Sequence, residues 1–324
     1  METRKTLNIL IPFYNEEKQV PLTFAEVVRV MESTGETFAL IAVDDGSSDG
    51  TWDAIRAASD ADPRIRGLRL SRNFGKESAL CAALDASDAD AVVVMDGDLQ
   101  HPPRHIPEMI RLWRDNGYEV VEGIKTDRGH ESLGSRLSAK LFYGMFKRLA
   151  GIDLRGASDF KLMDRKVVEA WRALPEHETF FRGMSAWLGF RRAQLPFDVE
   201  ERTTGASKWS LGRLFALSLH AIASFSARPL QAASTIGVLL VFLAGVLAIQ
   251  TLINWMMGNA ASGFTTVILL ELLIGGCVLL SLGLLGVYIA RIFSEVKGRP
   301  RYIVSDTAGP DRPERQPGVD VRQQ

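Results

Sequence analysis

Two long runs without charge constrain this chain more than any other feature. No charged side chain occurs from 229 to 270, nor from 272 to 290, and Glu271 is the single interruption. A membrane-spanning helix needs about 20 predominantly apolar residues. Residues 231–255 supply that length and 266–290 supply it again, joined by a turn that contains Gly258, Asn259 and Gly263. Two full-length spans in succession are rare in a soluble core, so a transmembrane hairpin over 229–290 is expected. The turn holds no cation, whereas Arg228 precedes the first span and Arg291, Lys297, Arg299 and Arg301 follow the second. Positive flanks mark the cytoplasmic side, which predicts a multi-pass protein of the inner (plasma) membrane with both termini in the cytoplasm. Glu271 falls near the far interface, where a snorkelling or helix-contact role is favoured over chemistry.

Residues 1–210 are charged throughout and read as a separate cytoplasmic domain. The formal net charge of −1 excludes a global basic field of the kind that binds nucleic acid. Cys81 and Cys277 are the only cysteines, one in each half, so neither a disulfide framework nor a thiolate zinc site is available. The opening METRKTLNILIPFYNEE is charged at once and runs into a strand, with no apolar core of signal-peptide length.

Periodicity predicts strands at 7–13, 38–43, 65–70 and 91–95, and helices at 20–31, 51–59 and 78–86. Such alternation implies βαβ units and a parallel sheet covered on both faces. Ligands of these sheets bind beyond the carboxyl ends of the strands. Glu16, Asp45, Asn73 and Asp96 each follow a strand and are expected to converge there. Over 135–149, Leu137, Leu141, Met145 and Leu149 form one stripe with Phe142 and Phe146 beside it, while Arg136, Lys140, Lys147 and Arg148 lie elsewhere. This basic amphipathic helix has two readings, one packed on the domain core and one lying on anionic lipid. Residues 211–228, just before the spans, offer the same choice with the membrane favoured. From Asp306 onward the Pro-, Gly-, Arg- and Asp-rich tail, part of a cytoplasmic end over 291–324, reads as disordered.

The chemistry begins at Asp96-Gly97-Asp98-Leu99-Gln100, directly after Val92-Val93-Val94-Met95. Two carboxylates at i and i+2 around a glycine can turn toward one point and offer hard oxygen ligands to Mg²⁺ or Mn²⁺, with Gln100 as a third oxygen. An Asp-x-Asp alone is more often a turn, but the strand before it and Pro102-Pro103 after it strengthen the metal reading. Asp44 and Asp45 end another strand and could bond a nucleobase or ribose, support the metal region, or form an Asx turn that caps the helix at Thr51. Pro12, Tyr14 and Glu16 could shape a base pocket, although Glu16 and Glu17 also suit a helix N-terminus. The segment around Lys76 lacks P-loop spacing, and no Gly-x-Gly-x-x-Gly follows the first strand.

Six ordered words carry a resemblance: IPFYNEE at 11–17, VDDGSSDGT at 43–51, SRNFGKESAL at 71–80, MDGDLQHPP at 95–103, GASDFKLMDR at 156–165 and ERTTGASKWSL at 201–211. YIARIFSEVKGRPRYIV at 288–304 joins them. The chain resembles family 2 of the inverting glycosyltransferases, in the polyprenyl-phosphate branch. The resemblance implies a Rossmann-like nucleotide-sugar domain of GT-A type with an α/β, mostly parallel sheet. It also implies a metal at Asp96, Asp98 and Gln100, and nucleotide contacts from Pro12, Tyr14, Glu16, Asp44, Asp45, Lys76, Asp96 and Gly97. By the same resemblance Asp159 is the catalytic base. The implied partners are a nucleotide-sugar, expected to be a UDP-hexose, a polyprenyl (undecaprenyl) phosphate and membrane lipid, with a homo-oligomer compatible. The Gln-x-x-Arg-Trp word of processive synthases is absent, which favours a single transfer. An acceptor such as diacylglycerol stands as an alternative, as does a silent membrane scaffold, against which Asp96, Asp98 and Asp159 argue.

A phosphate monoester carries about −1.5 to −2 charge at pH 7. Such an acceptor needs little deprotonation, so Asp159 is open to an orienting role. What the site does need is cations. Arg128, Arg136, Arg202 and Lys208 are candidates for the lipid phosphate or diphosphate, with Ser207 in the same ERTTGASKW segment as the last two. Arginine suits phosphate through its planar fork, and Arg202 and Lys208 are the strongest of the set.

Overall fold

The computed structural model describes residues 5–125, 158–177, 179–197, 228–258 and 263–310, together with Gly144 and Arg148. The remainder of the 135–149 segment and the juxtamembrane stretch before Arg228 lie outside the described residues; Gly144 and Arg148 are helical and exposed. Two compact units emerge. One comprises Met1–Tyr143, Ile152–Ala206 and Gly298–Gln324, and the other Gly144–Gly151 and Ser207–Lys297.

The first unit is built on β1 (Thr6–Phe13), β2 (Thr37–Asp44), β3 (Ile65–Leu70) and β4 (Ala91–Val94). The pairings among these four strands are all parallel: β1 with β2, β1 with β4, and β2 with β3. These strands are apolar runs because helices cover both faces. The helices are α1 (Gln19–Thr34), α2 (Thr51–Ala61), α3 (Lys76–Ala86) and α4 (Ile106–Arg114). On α1, Val20, Phe24, Val27 and Met31 recur at helical spacing and are buried, and Gly35 at φ 67° ends the helix in the left-handed conformation. All seven elements expected between residues 7 and 95 are present, with no end shifted by more than three residues.

The remaining strands make the sheet mixed. Its order is β7-β5-β6-β4-β1-β2-β3-β8, with β5 at Val120–Lys125, β6 at Lys161–Asp164, β7 at Arg192–Phe197 and β8 at Val304–Ala308. β6 is antiparallel to both β4 and β5, and β5 is parallel to β7. Between them come α5 (Arg165–Arg172) and α6 (Phe181–Trp187).

β8 corrects the reading of the chain as disordered for Asp306 to Ala308, while residues 311–324 of that tail lie outside the described residues. Asp306, Thr307 and Ala308 belong to an antiparallel edge strand paired with β3. Asp306 accepts a hydrogen bond from Trp52 Nε1 at 3.2 Å, and Tyr302, almost fully buried, donates from its hydroxyl to Asp85 at 2.8 Å. Polar composition disguised a strand that needs only one apolar anchor, since its other edge and one face meet solvent.

The second unit contains α7 (Arg228–Met256) and α8 (Phe264–Val296), helices of 29 and 33 residues that contain both expected spans. Each is long and apolar enough to cross a membrane, over Ala233–Asn254 and Leu273–Val296. Val241, Phe242, Leu279 and Leu280 are among their many exposed apolar side chains. Glu271 is exposed on α8.

Because Tyr302 anchors β8, Tyr302→Ala is expected to destabilise the sheet unit by about 3–5 kcal/mol, the usual cost of truncating a buried aromatic. Hydrogen exchange should show β3 amides losing protection before those of β1; equal protection of β3 in the variant and the parent would contradict this.

Candidate active site

The strand order reverses direction at β1, from which the chain moves to β2 and β3 on one side and then to β4 on the other. Crevices open at such switch points. β4 stops pairing at Val94 opposite Leu10, whereas β1 continues beside β2 to Phe13. Leu10 O accepts from Met95 N–H and Phe13 O from Asp45 N–H. Alternation along β1 therefore turns Pro12 toward the side where β4 has ended, and its missing N–H costs no ladder bond. The divergence leaves a cleft between the residues after β1 and those after β4.

Asp96-Gly97-Asp98 lies on one wall. A Cβ on Gly97 would meet the Phe13 ring at 2.4 Å and Glu16 Oε2 at 2.9 Å, so only glycine fits between the two acids. Gly97 O accepts from Thr23 Oγ1 at 2.5 Å, Asp96 N–H donates to His101 Nδ1 at 3.1 Å, and Gln100 N–H donates to Asp98 Oδ1 at 3.0 Å. His101 is stacked on Phe160 with ring centroids 5.3 Å apart. Leu99 holds φ 58°, a strained conformation for a bulky residue. Glu16 faces this loop. Burial, then the nearby Asp98 and Asp96 charges, push its carboxyl up to about 7, and Lys76 only partly offsets them.

Asp159 enters from the opposite direction. β6 runs antiparallel to β4, with Lys161 opposite Val94, so the residue just before β6 reaches the same end of the sheet as the residue just after β4. Lys76 Nζ lies 2.5 Å from Asp96 Oδ1 and 2.7 Å from Asp159 Oδ2. Arg182 on α6 grips Asp159 through both of its oxygens, each at 2.8 Å. Burial alone would raise the Asp159 pKa, but the Arg182 fork and Lys76 hold it well below the usual carboxylate range. Lys76 in turn is raised: burial disfavours its charge, and Asp96 and Asp159 more than compensate.

Other expected site residues support these. Asp45 accepts from Phe74 N–H at 2.8 Å and Gly75 N–H at 2.9 Å, fixing the loop that delivers Lys76 at the start of α3. Burial raises its pKa despite those two bonds. Asp44 is fully buried, accepts from Ser47 N–H at 3.0 Å in an Asx turn and lies 3.4 Å from Arg69 Nε. At the start of α2 the N-cap position is Gly50, and the Thr51 N–H and hydroxyl donate to Asp49, not to Asp44 or Asp45. Tyr14 is about half exposed at the cleft rim. Arg128, Arg136, Arg202, Ser207 and Lys208 lie outside the described residues.

Three members have no expectation behind them. Arg182 and His101 bond to Asp159 and to the Asp96 backbone, and Glu77 accepts from Phe181 N–H at 2.7 Å. The Asp98-Leu99-Gln100-His101 sequence and FFRGM at 180–184 held their signal, but in segments whose placement depends on the antiparallel half of the sheet.

Among the described residues no three His, Cys, Asp or Glu side chains already meet as a metal cage. The donors nevertheless suit a hard cation. Glu16, Asp96 and Asp98 crowd negative charge together, Glu16 Oε2 is buried without a hydrogen-bond partner, and oxygen is the ligand type that Mg²⁺ and Mn²⁺ take.

The profile of Glycosyl transferase family 2 matches residues 8–172, about half of the chain. The chain belongs to that family. This family 2 member is 37% identical to the uncharacterized glycosyltransferase YkcC of Bacillus subtilis (strain 168), over 93% of this chain and 94% of the relative. It is 35% identical to the SfII prophage-derived bactoprenol glucosyl transferase of Shigella flexneri, over 92% and 97% of the two chains. It is 32% identical to the prophage bactoprenol glucosyl transferase homolog of Escherichia coli (strain K12), over 92% and 98%. The glycosyltransferase unit thus has the GT-A type α/β fold, and Asp96-Gly97-Asp98 and Asp159 all fall within the matched residues.

Burial, partly offset by the Phe181 N–H bond, pushes Glu77 up to about 7 from an ordinary value of 4.5. A carboxyl raised on folding contributes stability that is full below its unfolded pKa and lost as pH rises through its folded one. The melting temperature of the metal-free glycosyltransferase should therefore fall between pH 5 and 8, and Glu77→Gln, which keeps the acceptor oxygen, should flatten that slope. An unchanged slope in the variant would refute the assignment.

Proposed function

We propose that this glycosyltransferase moves a single hexose from a UDP-sugar to polyprenyl phosphate at the cytoplasmic face of the membrane, with inversion at the anomeric carbon. The observation that carries the proposal is the placement of Lys76 and Arg182 on either side of Asp159, beside the acidic loop after β4. A site that must hold an anionic acceptor next to an anionic donor needs fixed cations more than it needs a base. The names of the bactoprenol glucosyl transferases support the acceptor class. The two apolar helices with cationic flanks at Arg228 and at Arg291 to Arg301 support membrane attachment and cytoplasmic orientation.

Asp96, Asp98 and Gln100 would hold a divalent cation, Mg²⁺ or Mn²⁺, which when bound neutralises a departing diphosphate. Pro12, Tyr14, Glu16 and the loops held by Asp44 and Asp45 form the nucleotide pocket. Asp159 is a poor base at its lowered pKa. Its role is to keep Lys76 and Arg182 extended toward the cleft. The lipid phosphate oxygen attacks the anomeric carbon in line, the bond to the diphosphate oxygen breaks, and its electron pair leaves with the nucleoside diphosphate. No proton need move before that step. Arg128, Arg136, Arg202, Ser207 and Lys208 are assigned to the lipid phosphate and diphosphate. Attachment to the bilayer raises the effective concentration of a lipid acceptor.

Mass spectrometry of membranes incubated with undecaprenyl phosphate and a panel of nucleotide-sugars should show a product heavier by one sugar, absent with Asp96→Ala. A glycosylated diacylglycerol, or no product from any donor, would overturn the acceptor assignment. In calorimetry, nucleoside diphosphate should bind more tightly with Mn²⁺ than without. Asp159→Asn should lower kcat by roughly 10²–10³, the scale of losing one preorganised electrostatic contact, with little change in donor KM; an unchanged kcat would remove Asp159 from the site.

A further inference from the structure

A buried ionic network that the transfer chemistry does not use lies behind Asp159 and Arg182. Lys161 on β6 is completely buried, and Glu122 on β5 is 1% exposed. Lys161 Nζ lies 3.1 Å from Glu122 Oε1 and donates to Ser185 Oγ at 2.7 Å. Glu122 also pairs through Oε2 with Arg192 on β7, and its Oε1 accepts from Ser158 N–H at 3.3 Å. Ser185 Oγ donates to the Arg182 carbonyl at 3.2 Å, and Lys161 Nζ stands 4.8 Å above the ring of Phe181, the first residue of α6.

One end of the network therefore holds the backbone next to Asp159, and the other holds the first turn of α6, which carries Arg182. Replacing a buried ion pair by apolar residues of the same shape is often neutral or stabilising, so stability alone does not account for a lysine with no access to water. The better-attested use of such groups is to fix one arrangement among several. The arrangement fixed here is the bidentate Arg182–Asp159 pair, whose members come from separate elements, the turn before β6 and the short helix α6.

We propose that Glu122, Lys161 and Ser185 are positioning residues for sugar transfer, acting through the backbone to hold Asp159 and Arg182 in register beside Lys76. This rests on the reading of the Asp159 region as the transfer site. Ser185→Ala in the full-length protein, reconstituted in nanodiscs, breaks the link to α6 with the smallest change in volume. Its kcat should fall roughly ten- to a hundredfold, the range that follows from small misplacement of reacting groups, while the KM for nucleotide-sugar stays constant. The ¹⁵N resonance of Arg182 Nε, assigned by its loss in Arg182→Lys, should shift in Ser185→Ala and in Glu122→Gln. Ser185→Thr, which keeps the hydroxyl, should restore both rate and resonance. Unchanged kcat and resonance in Ser185→Ala would overturn the proposal, as would a kcat loss that Ser185→Thr fails to recover while melting temperature falls in parallel. A resonance that moves while the unmutated protein transfers no sugar to undecaprenyl phosphate would support the network and sink the acceptor assignment instead.

Discussion

Glu16, Asp96 and Asp98 are all suspended from the divergence of β1 and β4. Parallel pairing of β1 with both β2 and β4 sends their carboxyl ends to one side of the sheet, and the early end of β4 leaves room for a ligand there. Glu16, Asp96 and Asp98 then share a small volume with the Lys76 ammonium. Bringing these charges together is unfavourable without cations, and the fold tolerates it because the apolar core beneath, from Leu7, Ile9 and Ile11 to Val93 and Met95, is fully buried. The strain of Leu99 and the close fit at Gly97 belong to the same crowded loop.

Charge balance organises the other half of the site. Asp159 is surrounded by Lys76 and Arg182, so it stays ionised across the physiological range and binds its cations strongly. That state suits an orienting role and ill suits proton abstraction, which needs a pKa near the working pH. A donor diphosphate and a lipid phosphate bring several negative charges into the cleft, and a pair of cations already fixed there meets them without side-chain reorganisation.

The sequence was most legible where structure is local. The alternation from residue 7 to residue 95 revealed the parallel half, because buried parallel strands are continuous apolar runs and each is followed by its own helix. Asp96, Asp98, Asp44, Asp45 and Glu16 could be placed because each ends such a strand. β5, β6 and β7 were not legible. Their pairings are set by contacts far apart in sequence, and β6 breaks the parallel pattern. Arg182, Glu77 and Lys161 stayed hidden for a related reason: a charged residue in a short helix or strand is usually solvated, and nothing local marks Lys161 as buried. β8 was misread because its polar composition resembles a loose tail, whereas pairing is supplied by β3.

The position of β8 in the chain has a consequence for the order of synthesis. Its partner β3 is complete by residue 70, but β8 lies at Val304–Ala308, after α7 and α8. Throughout translation of the intervening chain, the β3 edge has unpaired backbone donors and acceptors, a surface that invites wrong partners. It is closed only once both apolar helices have emerged, so maturation of the sheet waits on the hydrophobic segments and a ribosome stalled between them leaves a sheet with an open seam.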